Sequence, residues 1–390
     1  MAGIVAGEID GRSILVAAFG AVGYLALACL SLVLSQAGET VSPIWLPNAC
    51  AVALLLRVRL RNEVPFLLAC FAASLAANAV AQLPDHVALV FSFGNLVGMV
   101  VVLALTRGTT GRSVDMSRLG DLARFVWAGG LVGPLVSAAV VVPMMGDSLA
   151  AWQAGAVTWF LTDSMANLLI VPVTLLMVDR LRGTLAPAPA RPLESAALLG
   201  GGMVIAFLVF DQTHYPLMFL IQPITLLHAF RLGSLGSAVH VGGVAVVAGT
   251  MTFLGQGPIA AASGGGVAEL HLLQAFIAAN FLTGLPVAAI LAGRDRMMAR
   301  LEAGKREVDL LAMNITDAIL RFDLEGICTY ASPSVGEVIG MSPESFIGRH
   351  ATARLHPDTH GRASDAIARL LGGISDRERV TYRRLVDAPD

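Results

Sequence analysis

Apolar runs of roughly 16–25 residues, the length needed to cross the hydrocarbon core of a bilayer, recur ten times before residue 295. They lie at about 13–35, 41–56, 64–83, 87–106, 122–145, 152–178, 195–211, 215–230, 235–254 and 272–292. A water-soluble fold has nowhere to put them all. The chain is 56% hydrophobic and only 14% charged, against about 25% charged for a soluble domain. The pattern predicts a mainly α, polytopic transmembrane helix bundle. The N-terminus lacks the cationic start of a cleavable signal, and its apolar run is long enough to span. The second and eighth runs are short and carry Pro43 with Pro47 and Pro216 with Pro223. Either can be tilted, broken or re-entrant, so the expectation is 8–10 spans.

The cations order these runs. All 15 basic residues before residue 301 are arginines. Arg12 precedes the first run. Arg57, Arg59 and Arg61 follow the second; Arg107, Arg112, Arg118 and Arg124 follow the fourth or open the fifth. Arg180, Arg182 and Arg191 follow the sixth, Arg231 the eighth, and Arg294, Arg296 and Arg300 the tenth. In a ten-span arrangement every one falls on the same face, while the opposite loops hold Glu39, Asp85, Asp147, Asp211 and Glu269 without Lys or Arg. The positive-inside rule then places both termini in the cytoplasm. The loops of the other face are too short to fold as a domain, so a stimulus has to be read within or beside the bilayer.

Polar residues inside the runs are candidate sites. A carboxyl at mid-bilayer costs about 2.5–3.5 kcal/mol, so Asp163 needs a partner or a function. Asn167 follows four residues later, on the same helix face. Asn48, Asn78, Asn95, Gln222 and Asn280 are single amides, for which interhelical hydrogen bonds are the plainer account. His240 is a buried neutral imidazole or a titratable sensor. Trp45, Trp152 and Trp159 read first as interfacial anchors, and Gly94 with Gly98 as a close-packing stripe. The cysteines, Cys29, Cys50, Cys70 and Cys328, show no metal-site spacing. The intramembrane ligand-sensing candidates are therefore Trp45, Asn48, Asp163, Asn167, Gln222 and His240.

Three segments in order carry a family resemblance. They are SPIWLPNACAVALLLR (Ser42–Arg57), WFLTDSMANLLIVPVTLL (Trp159–Leu176) and YPLMFLIQPITLLHAFRLGSLG (Tyr215–Gly236). Residues 10–295 resemble the first MASE family, membrane-associated sensor domains of bacterial signalling proteins. Ala49 and Ala166 stand where that family often has glycine, so no ligand preference is carried over. The resemblance implies a sensory input without catalysis of its own.

Beyond the last run, residues 294–313 read as a charged linker helix. Met297, Leu301, Gly304, Val308 and Leu311 alternate spacings of four and three, an a/d seam suited to a parallel homodimer; a single amphipathic helix fits as well. From residue 314 the text turns soluble. Ile319–Phe322, a turn at Asp323–Gly326 and Ile327–Ala331 form a hairpin signature. Ser332 and Ser342 each precede a proline, as at helix starts. Ala363–Leu371 reads as a helix and Arg379–Val386 as a strand. DAILRFDLEG, ASPS…GM and LHPD together resemble a PAS domain over 314–390, incomplete because two strands of its five would lie beyond Asp390. No cofactor is evident, the ligand of such a domain is open, and His350, His356 and His360 read as loop and cap residues rather than haem ligands.

The sequence has no P-loop, HExxH, GxSxG, GGDEF or EAL motif. Its enzyme status therefore rests on a part it does not contain. The leading expectation is a membrane sensor that passes a small-molecule or membrane-protein stimulus through a dimeric linker and PAS domain. The output would be a diguanylate cyclase, a cyclic-di-GMP phosphodiesterase or a histidine kinase of a two-component system. A transporter or channel with a regulatory PAS domain is the alternative. The partners are the bilayer and a second copy, with no nucleic acid.

Overall fold

The structure is a computed structural model that describes residues 10–37, 44–58, 60–107, 113–186, 188, 190–263, 266–314, 317–353 and 355–383. The chain divides into two units, Met1–Asp295 and Arg296–Asp390.

The first unit is entirely helical among its described residues: α1 (Gly11–Ala37), α2 (Leu46–Arg57), α3 (Val64–Val80), α4 (Asp85–Arg107), α5 (Leu119–Trp127), α6 (Gly133–Val141), α7 (Leu149–Leu181), α8 (Pro192–Phe210), α9 (Ile221–Phe253), α10 (Gly257–Ser263) and the start of α11 (Val267–Asn314). Each of the ten apolar runs forms helix over most of its described residues. Seven of the described helical segments are long and apolar enough to cross a membrane, and Leu46–Arg57 and Val64–Val80 are shorter apolar helices. Prolines sit at the first turns of α2, α3 and α8, where the missing N–H is harmless. Ser148 caps α7 by accepting from Ala151 N at 3.2 Å.

The eighth and ninth runs lie within the single element Leu217–Phe253, yet they are two arms. Gly233 has φ 67° and ψ −162°, a conformation open essentially to glycine. In an unbroken helix His228 and His240 would be about 18 Å apart along the axis. Their rings are stacked with centroids 3.8 Å apart, so the chain folds back on itself at Gly233. The reversal is tight: a Cβ on Gly236 would lie 2.1 Å from Leu232 Cβ.

Helix ends that carry arginine meet helix ends that carry acid. Arg57 Nη2 pairs with Asp179 Oδ2 at 2.6 Å, joining the C-termini of α2 and α7. Arg107 grips Glu63 through both carboxylate oxygens at 2.7 and 2.6 Å and donates to Leu55 O at 2.9 Å. Arg231 Nε reaches Glu194 Oε1 at 2.7 Å. Between such ends, α4 and α6 approach through small residues. A Cβ on Gly98 would lie 3.1 Å from Ser137 Cβ, and one on Gly133 2.3 Å from Val102 Cγ2.

In the second unit, β1 (Leu320–Phe322) and β2 (Cys328–Ala331) pair antiparallel with Leu320 opposite Ala331. Asp323 closes the turn, its Oδ1 accepting from Ile327 N at 2.7 Å, and Gly326 turns it with φ 78°. The hairpin is where the sequence places it. Then come α12 (Val335–Ile339), a single 3-10 turn at Pro343–Ser345, and α13 (Pro357–Leu371). His356 is the N-cap of α13, its Nδ1 accepting from Asp358 N at 3.4 Å. The expected third strand over Arg379–Val386 is not formed in its described part, residues 379–383. A strand needs a ladder of backbone pairs, and here His356 N alone donates to Arg383 O, at 2.8 Å. Residues 384–386 lie outside the described residues. The sheet among the described residues has two strands, less than a PAS sheet.

Candidate functional site

The polar residues of the first unit gather around α7, and the reason begins in the neighbouring helix. Pro134 has no N–H, so the carbonyl of Gly130, four residues earlier, loses its helical donor. A π-turn at Ala128–Val132 absorbs the break between α5 and α6. Two side chains of α7 take up carbonyls of that turn. Ser164 Oγ donates to Gly130 O at 2.9 Å, and Asn167 Nδ2 donates to Gly129 O at 2.9 Å. The glycines permit the approach, since a Cβ on Gly130 would already lie 3.1 Å from Leu168 Cδ2.

One turn along the same face, Asp163 is 6% exposed. Its carboxyl lies against Ser137 of α6, Asn48 of α2 and Trp159 of its own helix. Trp159 is drawn into the bundle rather than standing as an interfacial anchor. Its Nε1 donates to Ser137 Oγ at 2.9 Å, and its ring meets Phe91 edge-on at 5.0 Å between centroids. Asn48 continues the network: Tyr24 Oη donates to its Oδ1 at 2.6 Å, and its Nδ2 donates to Asn95 Oδ1 at 2.9 Å. Asn95 Nδ2 reaches Ser74 Oγ at 3.4 Å. Residues from α1, α2, α3, α4, α6 and α7 are thus tied into one buried cluster. At its centre Asn48, Asp163 and Asn167 line a cavity of about 10 Å3 with Gly98, Gly133 and Pro134, room for about one water molecule.

Of the six sequence candidates, Asn48, Asp163 and Asn167 share this cavity. Trp45 lies beside Tyr24, with its buried Nε1 lacking an acceptor. Gln222 and His240 belong to the folded-back α9 and do not line the cavity. His240 is fully buried and neither ring nitrogen has a partner; its neighbour His228 contacts Ile224 O at 2.7 Å and Leu198 O at 3.0 Å. Asn280 and Asn78 make the interhelical bonds expected of single amides, to Thr225 Oγ1 at 3.1 Å and Ser92 Oγ at 3.1 Å.

Tyr24, Ser137 and the π-turn are parts of this cluster and its surroundings that sequence reasoning passed over. Each left a signal. Tyr24 is one of only four tyrosines, and a tyrosine deep in an apolar run needs a hydrogen-bond partner. The Gly133–Pro134 pair inside a span, after Gly129 and Gly130, announces freed carbonyls.

In the linker, α11 runs unbroken from Val267 to Asn314. Met297 and Leu301 are exposed, and a Cβ on Gly304 would meet nothing within 4 Å. The side chains of Val308 and Leu311 lie outside the described residues.

Among the described residues, seven helical segments long and apolar enough to cross a membrane define a multi-pass membrane protein. The MASE1 family model matches residues 14–296, which is 283 of 390 residues. The chain belongs to the MASE1 family, membrane-associated sensory domains of signalling proteins. No curated protein and no solved structure matches the chain.

Proposed function

We propose that this chain is the sensory input of a bacterial inner-membrane signalling protein, with its sensing site at Asn48, Asp163 and Asn167. Membership of the MASE1 family over residues 14–296 carries the reading. The buried cluster supports its location, because a costly intramembrane carboxyl joined to six helices can couple a local event to helix packing. The signal leaves through the linker at 294–313, whose exposed Met297 and Leu301 suit a parallel homodimer seam. It then enters a PAS-type domain over 314–390 and an output of diguanylate cyclase, phosphodiesterase or histidine kinase type. The one-sided arginines favour a cytoplasmic C-terminus. The alternative, a transporter or channel with a regulatory PAS domain, would draw on the intramembrane Asp163, the short or broken spans and the Gly-rich helices.

The test fuses residues 1–390 to a diguanylate cyclase and measures cyclic-di-GMP in cells. Asp163→Asn and Asn48→Ala should change the output at equal membrane abundance. Wild-type output in both variants would remove the site. Cysteines at Leu301 should crosslink between protomers; monomer alone after oxidation would remove the dimer seam.

A further inference from the structure

The sensing cavity lacks a counter-charge. Ser137, Asn48 and Trp159, all neutral, are the polar side chains against the Asp163 carboxyl, and among the described residues no Arg, Lys or His forms an ion pair with it. Asn167 adds a second, independent feature. Its Nδ2 is committed to Gly129 O, which fixes the orientation of the amide. The atom left buried without a partner is therefore an oxygen, Oδ1, on a residue 5% exposed that lines the same cavity. Asn48 lines the cavity too, with its Oδ1 taken by Tyr24 and its Nδ2 donating to Asn95 Oδ1.

The geometry points to a small monovalent cation, of the size and charge of Na+, held between the Asp163 carboxylate and Asn167 Oδ1 in the cavity that Asn48 also lines. Oxygen-only donors suit a hard cation. Interrupted membrane helices, with side chains and freed carbonyls around the break, are where sodium-coupled proteins bind it. One carboxylate balances one positive charge, whereas a divalent ion would leave an excess charge in hydrocarbon surroundings. A cavity of about 10 Å3 excludes ammonium compounds larger than a water molecule. The proposal names the ligand class of the sensing site and rests on that reading for its location alone; binding is measured without any output.

The experiment uses the full chain in lipid nanodiscs with 22Na+ as probe. Expected is saturable binding near one ion per chain, displaced by NaCl and not by choline chloride, and weakened at least tenfold by Asp163→Asn. At constant ionic strength and pH, saturating NaCl should raise Tm by about 5 °C over choline chloride, and Asn167→Ala should reduce that rise. Absence of saturable binding to the folded wild-type chain overturns the proposal, and does not depend on any variant folding. So does equal binding by Asp163→Asn. Stabilisation by acid with no response to sodium would assign the counter-charge to a proton and also overturn it. Sodium binding together with an unaltered fused output would instead remove the signalling role and leave the ion site standing.

Discussion

At the scale of the residue, Asn48 is the hinge of the buried cluster, because its amide both accepts and donates between helices. Its Oδ1 takes the Tyr24 hydroxyl and its Nδ2 serves Asn95. Tyr24→Phe keeps the ring and deletes one bond, so it should cost about 1 kcal/mol. Asn48→Ala strands two buried partners and should cost about 2–3 kcal/mol by the desolvation of those groups. Thermal unfolding of the purified chain reads both; equal losses would mean that Asn48 acts by packing alone. A second residue-scale effect lies outside the membrane. Arg369 holds the Glu378 carboxyl below its usual range through bonds at 2.9 and 3.0 Å, and Ser375 Oγ adds one at 3.0 Å. A carboxylate depressed in the folded state stabilises above its unfolded pKa and loses that contribution as pH falls through its folded value. Glu378→Gln should therefore speed hydrogen exchange over residues 375–383 at neutral pH, by an increment that shrinks as the pH is lowered from the ordinary glutamate value of about 4.3 through the lower folded value. An increment that stays constant as the pH falls would sink this account.

At the scale of the element, the apolar runs were legible because most side chains in a span have to face apolar surroundings. Each run forms helix over most of its described residues, and the hairpin of the second unit sits where its turn residues place it. The π-turn was not legible, because it arises from a chain of consequences across two helices. Pro134 frees a carbonyl in its own helix, and Ser164 and Asn167 answer from another. Period and hydropathy carry no trace of such a debt between elements. The strand expected over 379–386 is not formed in its described part, 379–383, for a related reason: alternation describes a segment, and a strand needs a neighbour. The site was half legible. Asp163 and Asn167 announced themselves by cost and spacing, whereas Ser137 is an ordinary small residue until the packing of α6 on α7 brings it to the carboxyl. The coupling across the π-turn is measurable. Ser164→Ala should destabilise the wild-type chain by about 1 kcal/mol, and nearly nothing once Pro134→Ala has restored the helical donor for Gly130 O. An additive double-mutant cycle would show that the bond and the proline are unrelated.

At the scale of the whole molecule, two short helices play matching parts. α2 has 12 residues and ends at Arg57, and the first arm of α9 ends beside Arg231 and the Gly233 turn. Each arginine ties its helix end to an acid on another helix. The seven long segments and the shorter helices therefore act as one bundle with charged seams at helix ends and a polar cluster within. Topology follows from how the turn at Gly233 is treated. In the ten-crossing arrangement expected from the sequence, Leu217–Phe253 folded back supplies two crossings, and parity brings the two ends of the chain to one face; as one rod it would supply one crossing and separate them. Reporter fusions after Arg61 and after Arg383 should then give the same sidedness, and one in the loop near Asp147 the reverse. Opposite signals from Arg61 and Arg383 would mean that one arm does not cross. In the proposed sensor, the face on which the chain emerges after its last crossing thus depends on the backbone of a single glycine.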